Sequence, residues 1–138
     1  MANEDLKRRT KRFALSIIKL VEALPLGRIC DVLGKQLLRS GTSVGANYRA
    51  ACRAKSKPDF ISKLGNVEEE ADESSYWMEL LHECGKVRRE QVGALIQEAN
   101  DLLAITIASI NTARASATGG PNAKRSECGM RSSESGMN

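Results

Sequence analysis

The chain has 138 residues, enough for one domain with a genuine core, and its 41% hydrophobic content excludes disorder along the whole length. Aromatics make up only 4% and Pro only 3 residues, while Leu, Ala, Ile, Glu, Lys and Arg dominate, a composition suited to helices packed on helices. A basic stretch from Lys7 to Arg12 precedes the apolar run Phe13–Ile18, but Lys19 and Glu22 interrupt that run. No stretch approaches the ~20 apolar residues of a membrane span, so the chain is read as cytoplasmic, without a membrane segment or secretory signal.

The first helix is predicted over about 3–24. Asn3 can cap it, Glu4 and Asp5 suit its first turn, and Pro25 with Gly27 stops it. Phe13, Ile17, Leu20 and Leu24 share one face. The second helix is predicted over about 28–55, with a core stripe of Ile29, Leu33, Leu37, Val44 and Tyr48, before a turn at Ser56-Lys57-Pro58-Asp59. The third, about 59–83, carries Phe60, Leu64, Val67, Ala71, Ser74, Met78 and Leu81 in alternating steps of four and three, the seven-residue repeat of near-parallel bundle helices. Gly85 suits the left-handed position that ends it. The fourth, about 89–113, has Val92, Leu95, Ala99, Leu102 and Ile105 with further apolar residues beside them, including Ile107 and Ile110. So wide an arc buries a second face against a neighbouring helix or another subunit. From Ser116 the composition turns to Gly, Ser and Asn, so 1–115 is expected to be an antiparallel up-and-down four-helix bundle and 116–138 a disordered tail.

Cys30, Cys52, Cys84 and Cys128 show no short pairing, and the single His82 cannot complete a zinc set. The three cysteines in predicted helices are expected to be small buried thiols, reduced in a cytoplasm.

Gln36, Ser40, Ser43 and Asn47 run along the edge of the second helix's apolar stripe, with Gly41 and Gly45 among them. Glycine costs ~1 kcal/mol inside a helix, so this spacing points to a close helix crossing. Asn66, Glu70 and Trp77 form a matching flank on the third helix, where a buried Glu70 would draw donors from Ser40, Ser43 and Asn47. The segment Gln36-Leu37-Leu38-Arg39-Ser40-Gly41-Thr42-Ser43-Val44-Gly45-Ala46-Asn47, followed by Glu69-Glu70-Ala71-Asp72-Glu73-Ser74-Ser75-Tyr76-Trp77-Met78-Glu79-Leu80-Leu81, resembles the four-helix-bundle family of 23S rRNA intervening-sequence proteins. The resemblance extends from Phe13 to Pro25 and covers roughly residues 7–113, and it is similar also to the accessory variability determinant of diversity-generating retroelements. It implies a four-helix bundle assembled into a homopentameric barrel, which in the retroelement relatives presents basic surface to nucleic acid and to a reverse transcriptase. The chain departs from the pattern at Ala50-Ala51, where many members carry an acidic residue followed by glycine.

The net charge of +4 conceals a division along the chain. Residues 1–57 carry 13 Lys and Arg against 4 Asp and Glu, hence +9; residues 58–113 carry 4 against 11, hence −7. Arg8, Arg12 and Lys19 fall on one stripe about 100–140° from the Phe13 face, at ~100° per residue. Arg28, Lys35, Arg39, Arg49 and Arg53 share the face of the second helix opposite Leu37. Both stripes are expected to face solvent, where a basic surface neutralises phosphates and releases counterions. No aromatics are interleaved for stacking and Tyr48 is expected to look inward, so recognition would read backbone or shape. The competing account is that the basic half simply pairs with the acidic half.

Glu79 and His82 match the Glu-x-x-His spacing of di-iron bundles, but such a site needs a second motif and the chain has one histidine. The acidic run Glu68-Glu69-Glu70-Asp72-Glu73 reads mainly as a solvated face. No nucleophile with a neighbouring base and no phosphate loop is present, so neither a catalytic residue, a metal nor a cofactor is expected. The expected function is that of a non-enzymatic homo-oligomeric accessory protein, pentameric by the resemblance, that binds RNA or DNA through its basic stripes. A reverse transcriptase or another protein is a further partner on this reading, and the alternative is a protein-interaction scaffold that binds no nucleic acid.

Overall fold

A computed structural model describes residues 3–116, with side chains from Asp5 onward. Four helices follow one another, α1 (Asn3–Glu22), α2 (Arg28–Cys52), α3 (Lys57–Glu83) and α4 (Arg89–Ala115), with no strand among the described residues. Each packs along the next, and α4 returns to α1 to close the bundle. The expected tail lies outside the described residues apart from Ser116, as does capping by the Asn3 side chain.

Local chemistry sets the ends. α1 stops at Glu22, earlier than expected, because Ala23 and Leu24 turn onto the carbonyls of Lys19, Leu20 and Val21 before Pro25, whose ring disfavours helical geometry in the preceding residue. α3 starts two residues early, since Ser56 accepts the Asp59 N–H at 3.1 Å and Pro58 stands in the first turn, where no N–H is needed. It ends with Gly85 at φ 83°, Gly85 N–H donating to His82 O and Lys86 N–H to Leu81 O, the paired bonds that close a helix on a left-handed residue.

All seven α3 positions of the four-and-three repeat are buried, facing Phe13, Ile17 and Leu20 of α1 and Leu37, Val44 and Tyr48 of α2 across one core. Two stripes differ from expectation. Ile29 is 50% exposed, and Cys30 is buried in its place. At ~100° per residue Ile29 lies about 80° from Leu37 around α2 and Cys30 only about 20°, so the thiol and not the isoleucine faces the core. On α4 the innermost residues are Val92, Ala99, Leu102, Thr106, Ile110 and Ala113, while Leu95 and Ile105 are half-buried and Ile107 is exposed. The Thr106 hydroxyl is tolerated inside because it donates to Leu102 O at 2.7 Å. Of the three helical or helix-end thiols only Cys30 is buried; Cys52 is half-buried and Cys84, at the α3 C-cap, is exposed.

Candidate nucleic-acid interface

The seam between α1 and α2 is built on glycine. A Cβ on Gly41 would sit 2.9 Å from Ile17 side-chain carbons, one on Gly45 would sit 3.1 Å from the Thr10 Oγ1, and one on Gly34 would sit 3.1 Å from Leu24. The pairs 34 with 24, 41 with 17 and 45 with 10 run in opposite directions, which fixes the two helices as antiparallel. Thr10 is buried in the seam, its hydroxyl donating to Leu6 O at 2.8 Å.

Outside this seam a shallow groove of about 220 Å³ opens, with Lys7 and Lys11 on the α1 side and Arg49 on the α2 side. Its floor is small: Ala14 from α1, Gly45 and Ala46 from α2. A contiguous hollow adds Arg8 to the same three cations. The sequence stripes therefore divide. Arg8 and Arg49 are brought together, although Arg8 also pairs with Asp5 at 3.2 Å in full solvent. Arg12 and Lys19 are exposed but turned to the far side of α1, about 100° past Lys11 or nearly so. Lys7 and Lys11, absent from the expected stripe, take their place. The i, i+4 spacing of those lysines was visible, but which flank of α1 meets α2 depends on the glycine contacts.

Arg28, Lys35, Arg49 and Arg53 are exposed and lie within about 60° around α2, a row of roughly 38 Å at ~1.5 Å per residue. None of these four, nor Lys7, Lys11, Arg12 or Lys19, has a carboxylate within ion-pair distance among the described residues. Lys35 also borders a second hollow, near Leu24, Leu26 and Leu38 at the α1–α2 turn.

Arg39 behaves differently. Expected on the open basic face, it spans to α3 instead, donating from Nη1 to Glu70 at 3.1 Å and from Nη2 to Glu73, while Nε approaches Gln36 Oε1 at 3.4 Å. Its guanidinium is held above the ordinary arginine value, by the Glu73 hydrogen bond first and against a desolvation that pulls the other way. Arg9 does the same toward α4, with two bonds to Glu98 at 2.7 and 2.9 Å that raise its pKa despite partial burial. Both shifts move strongly basic groups further up, so both arginines stay charged wherever the protein is folded.

The polar ladder is wired otherwise than expected. Arg39, not the short side chains of α2, supplies Glu70. The Ser43 hydroxyl donates to Arg39 O at 2.7 Å and Asn47 Nδ2 to Ser43 O at 2.9 Å, both within their own helix. Ser40 and Ser74, each fully buried, meet across the seam at 3.0 Å. Asn66 is exposed. Trp77 is half-buried, edge-on to Tyr76 with ring centroids 5.1 Å apart, and its Nε1 is buried with no hydrogen-bond partner among the described residues.

Among the described residues no group of three His, Cys, Asp or Glu side chains could hold a metal ion. Glu79 is exposed and receives Ser75 Oγ at 3.2 Å, while His82 Nδ1 lies 3.4 Å from Val87 O, so the two do not share a ligand set. No described helix is long and apolar enough to cross a membrane.

The model of one family, the 23S rRNA-intervening sequence protein, matches residues 3–108, the bundle without the end of α4. Among solved structures the chain is similar to a protein of unknown function from the S23 ribosomal protein family of Bacteroides thetaiotaomicron VPI-5482. The two are 37% identical with a TM-score of 0.72, over 80% of this chain and 98% of that one. No curated protein matches the chain.

Proposed function

The chain belongs to the 23S rRNA-intervening sequence protein family, and from that premise we propose that it is a non-enzymatic, homo-oligomeric cytoplasmic protein that holds the phosphate backbone of RNA or DNA on the outer face of α1 and α2. The observation that carries this reading is the division among its cations. Among the described residues the acidic half of the bundle claims only Arg9 and Arg39 from the basic half by ion pairs, and Arg28, Lys35, Arg49 and Arg53, with Lys7 and Lys11 beside them, are left open. Exposed lysines and arginines in a row suit phosphates spaced along a polymer. Repetition of the row by symmetry would strengthen weak individual contacts.

Nuclease-treated protein titrated with labelled RNA and DNA across a salt series tests this. Saturable binding is expected, with log affinity falling linearly in log salt by ~0.7 per neutralised phosphate on a single strand and ~0.9 on a duplex. Arg49→Glu with Arg53→Glu is expected to weaken binding and flatten that slope while leaving the fold intact. Absence of binding at low salt would overturn the reading.

A second reading, a protein-interaction scaffold, is favoured by one observation. Leu26 is 99% exposed, and Ile29 and Val32, half exposed, follow it at the start of α2. Exposed apolar residues grouped in this way mark contact surfaces. Light scattering distinguishes its simplest form, since Leu26→Ser with Val32→Ser should lower the mass of any assembly built on that surface.

A further inference from the structure

We infer that the groove between α1 and α2 is the seat of one unpaired nucleic-acid strand, held by its sugar-phosphate backbone with the bases turned outward. The inference rests on the nucleic-acid reading above and makes it specific to one groove and one form of polymer.

Four features of the groove converge on this ligand. Its cations stand on opposite walls, Lys7 and Lys11 from one helix and Arg49 from the other, so a chain lying between them is neutralised from both sides. Its floor at Ala14, Gly45 and Ala46 carries no side-chain polar group, so sugar carbons can rest on it while nothing there reads a base edge. Thr10 and Thr42 also line the groove, but their hydroxyls donate to Leu6 O and Leu38 O, each at 2.8 Å, which commits their protons to the helices themselves. No aromatic side chain lines the groove, so stacking does not capture the bases.

Size separates the remaining candidates. The groove shares Lys7, Lys11 and Arg49 with the hollow beside Arg8, so its cations line a continuous trough, which favours a polymer passing through over a metabolite held within. A duplex is too broad to sink in. Packed helix axes stand ~8–10 Å apart, whereas the major groove of B-form DNA alone is ~12 Å wide. A duplex would meet the rim cations without reaching the floor; a single strand meets both. The glycine seam makes this shape, because Gly45 lets α1 lie close while Ala46 keeps the adjoining surface low.

The test uses the full chain, fluorescent oligo(dT) and oligo(rU), and a hairpin duplex with the same number of phosphates. Wild type should bind both unpaired probes alike and about tenfold more tightly than the hairpin. Ala46→Phe fills the floor without changing charge, and should lower unpaired-strand affinity about tenfold while leaving hairpin affinity unchanged. Arg53→Gln, on the row but outside the groove, should weaken both forms of probe to a similar degree. Circular dichroism verifies that each variant is folded, and Ala46→Leu supplies a smaller plug should Ala46→Phe fail that check. Equal affinity for strand and hairpin, or full strand binding by a folded Ala46 variant, would overturn the groove and leave the basic face standing. Equal competition by a mononucleotide at matched phosphate would overturn the polymer. Failure of wild type to bind either probe would instead overturn the parent reading.

Discussion

The two long edges of α2 face the same solvent and are built in opposite ways. Toward α3 the edge is hydroxylic and neutralised: Ser40 meets Ser74 inside, and Arg39 closes the outside on Glu70 and Glu73. Toward α1 the edge is glycine inside and cationic outside, where Arg49 joins Lys7 and Lys11 with no carboxylate among them. An arginine's neighbours across the seam, more than its place on its own helix, decide whether it serves the fold or remains available to a ligand. The α3 edge uses its charge within the fold, and the α1 edge leaves its charge without a carboxylate partner among the described residues.

The contrast can be broken most strongly at its glycine side. Gly41→Ala should cost about 1–3 kcal/mol in urea unfolding, because the new methyl meets the β-branched Ile17 side chain at 2.9 Å and that stiff residue has nowhere to move. On the hydroxylic side, Ser74→Ala should cost about 1 kcal/mol, since Ser40 loses one contact but keeps its bond to Leu37 O, and the Ser40→Ala, Ser74→Ala pair less than the sum of the singles. A double-mutant cycle with no coupling would show that the contact across that seam is incidental. Next, Arg39→Gln should cost only ~0.5–1 kcal/mol, since the ion pairs are about half exposed, and should leave the salt slope of nucleic-acid binding as it was. Arg49→Gln should do the reverse, holding stability within ~0.5 kcal/mol while reducing the slope by about one phosphate. Equal effects of the two on binding would erase the distinction between the edges. The smallest effect is expected at Gly65, where a Cβ meets nothing within 4 Å: Gly65→Ala should stabilise by up to ~1 kcal/mol, opposite in sign to Gly41→Ala.

What could be read from the sequence follows from how local its cause is. The α3 repeat from Phe60 to Leu81 needs only the period of a helix, and every one of its positions is buried. Gly41 and Gly45 announced a close crossing because glycine inside a helix has a cost that packing must offset. The identity of the helix that crosses there is a property of the whole bundle. For that reason periodicity alone places Arg12 and Lys19 on a basic stripe as well as it does Lys7 and Lys11, and only the packing of α1 on α2 turns the two lysines to the groove. Arg39 lies 31 and 34 residues from its carboxylates, a pairing that no pattern within α2 contains. The displacement of Ile29 has a local origin instead: it sits about 80° from Leu37 around α2, at the edge of the stripe, while the less hydrophobic Cys30 sits about 20° from it. At Thr106, hydrophobicity pointed to Ile105, but a threonine that donates to its own helix is apolar enough on its outer surface to be buried.

The exposed thiol of Cys84 has a practical consequence. The up-and-down order places the start of α1, the end of α2, the start of α3 and the end of α4 at one pole, where Lys57 Nζ bonds Ser116 Oγ at 3.0 Å and where the groove opens. Cys84 closes α3 at the other pole. With Cys52 and Cys128 replaced, a biotin or a fluorophore coupled to Cys84 would anchor every copy in one orientation, groove outward. An affinity tag fused to residue 1 would crowd the entrance that such a surface leaves clear.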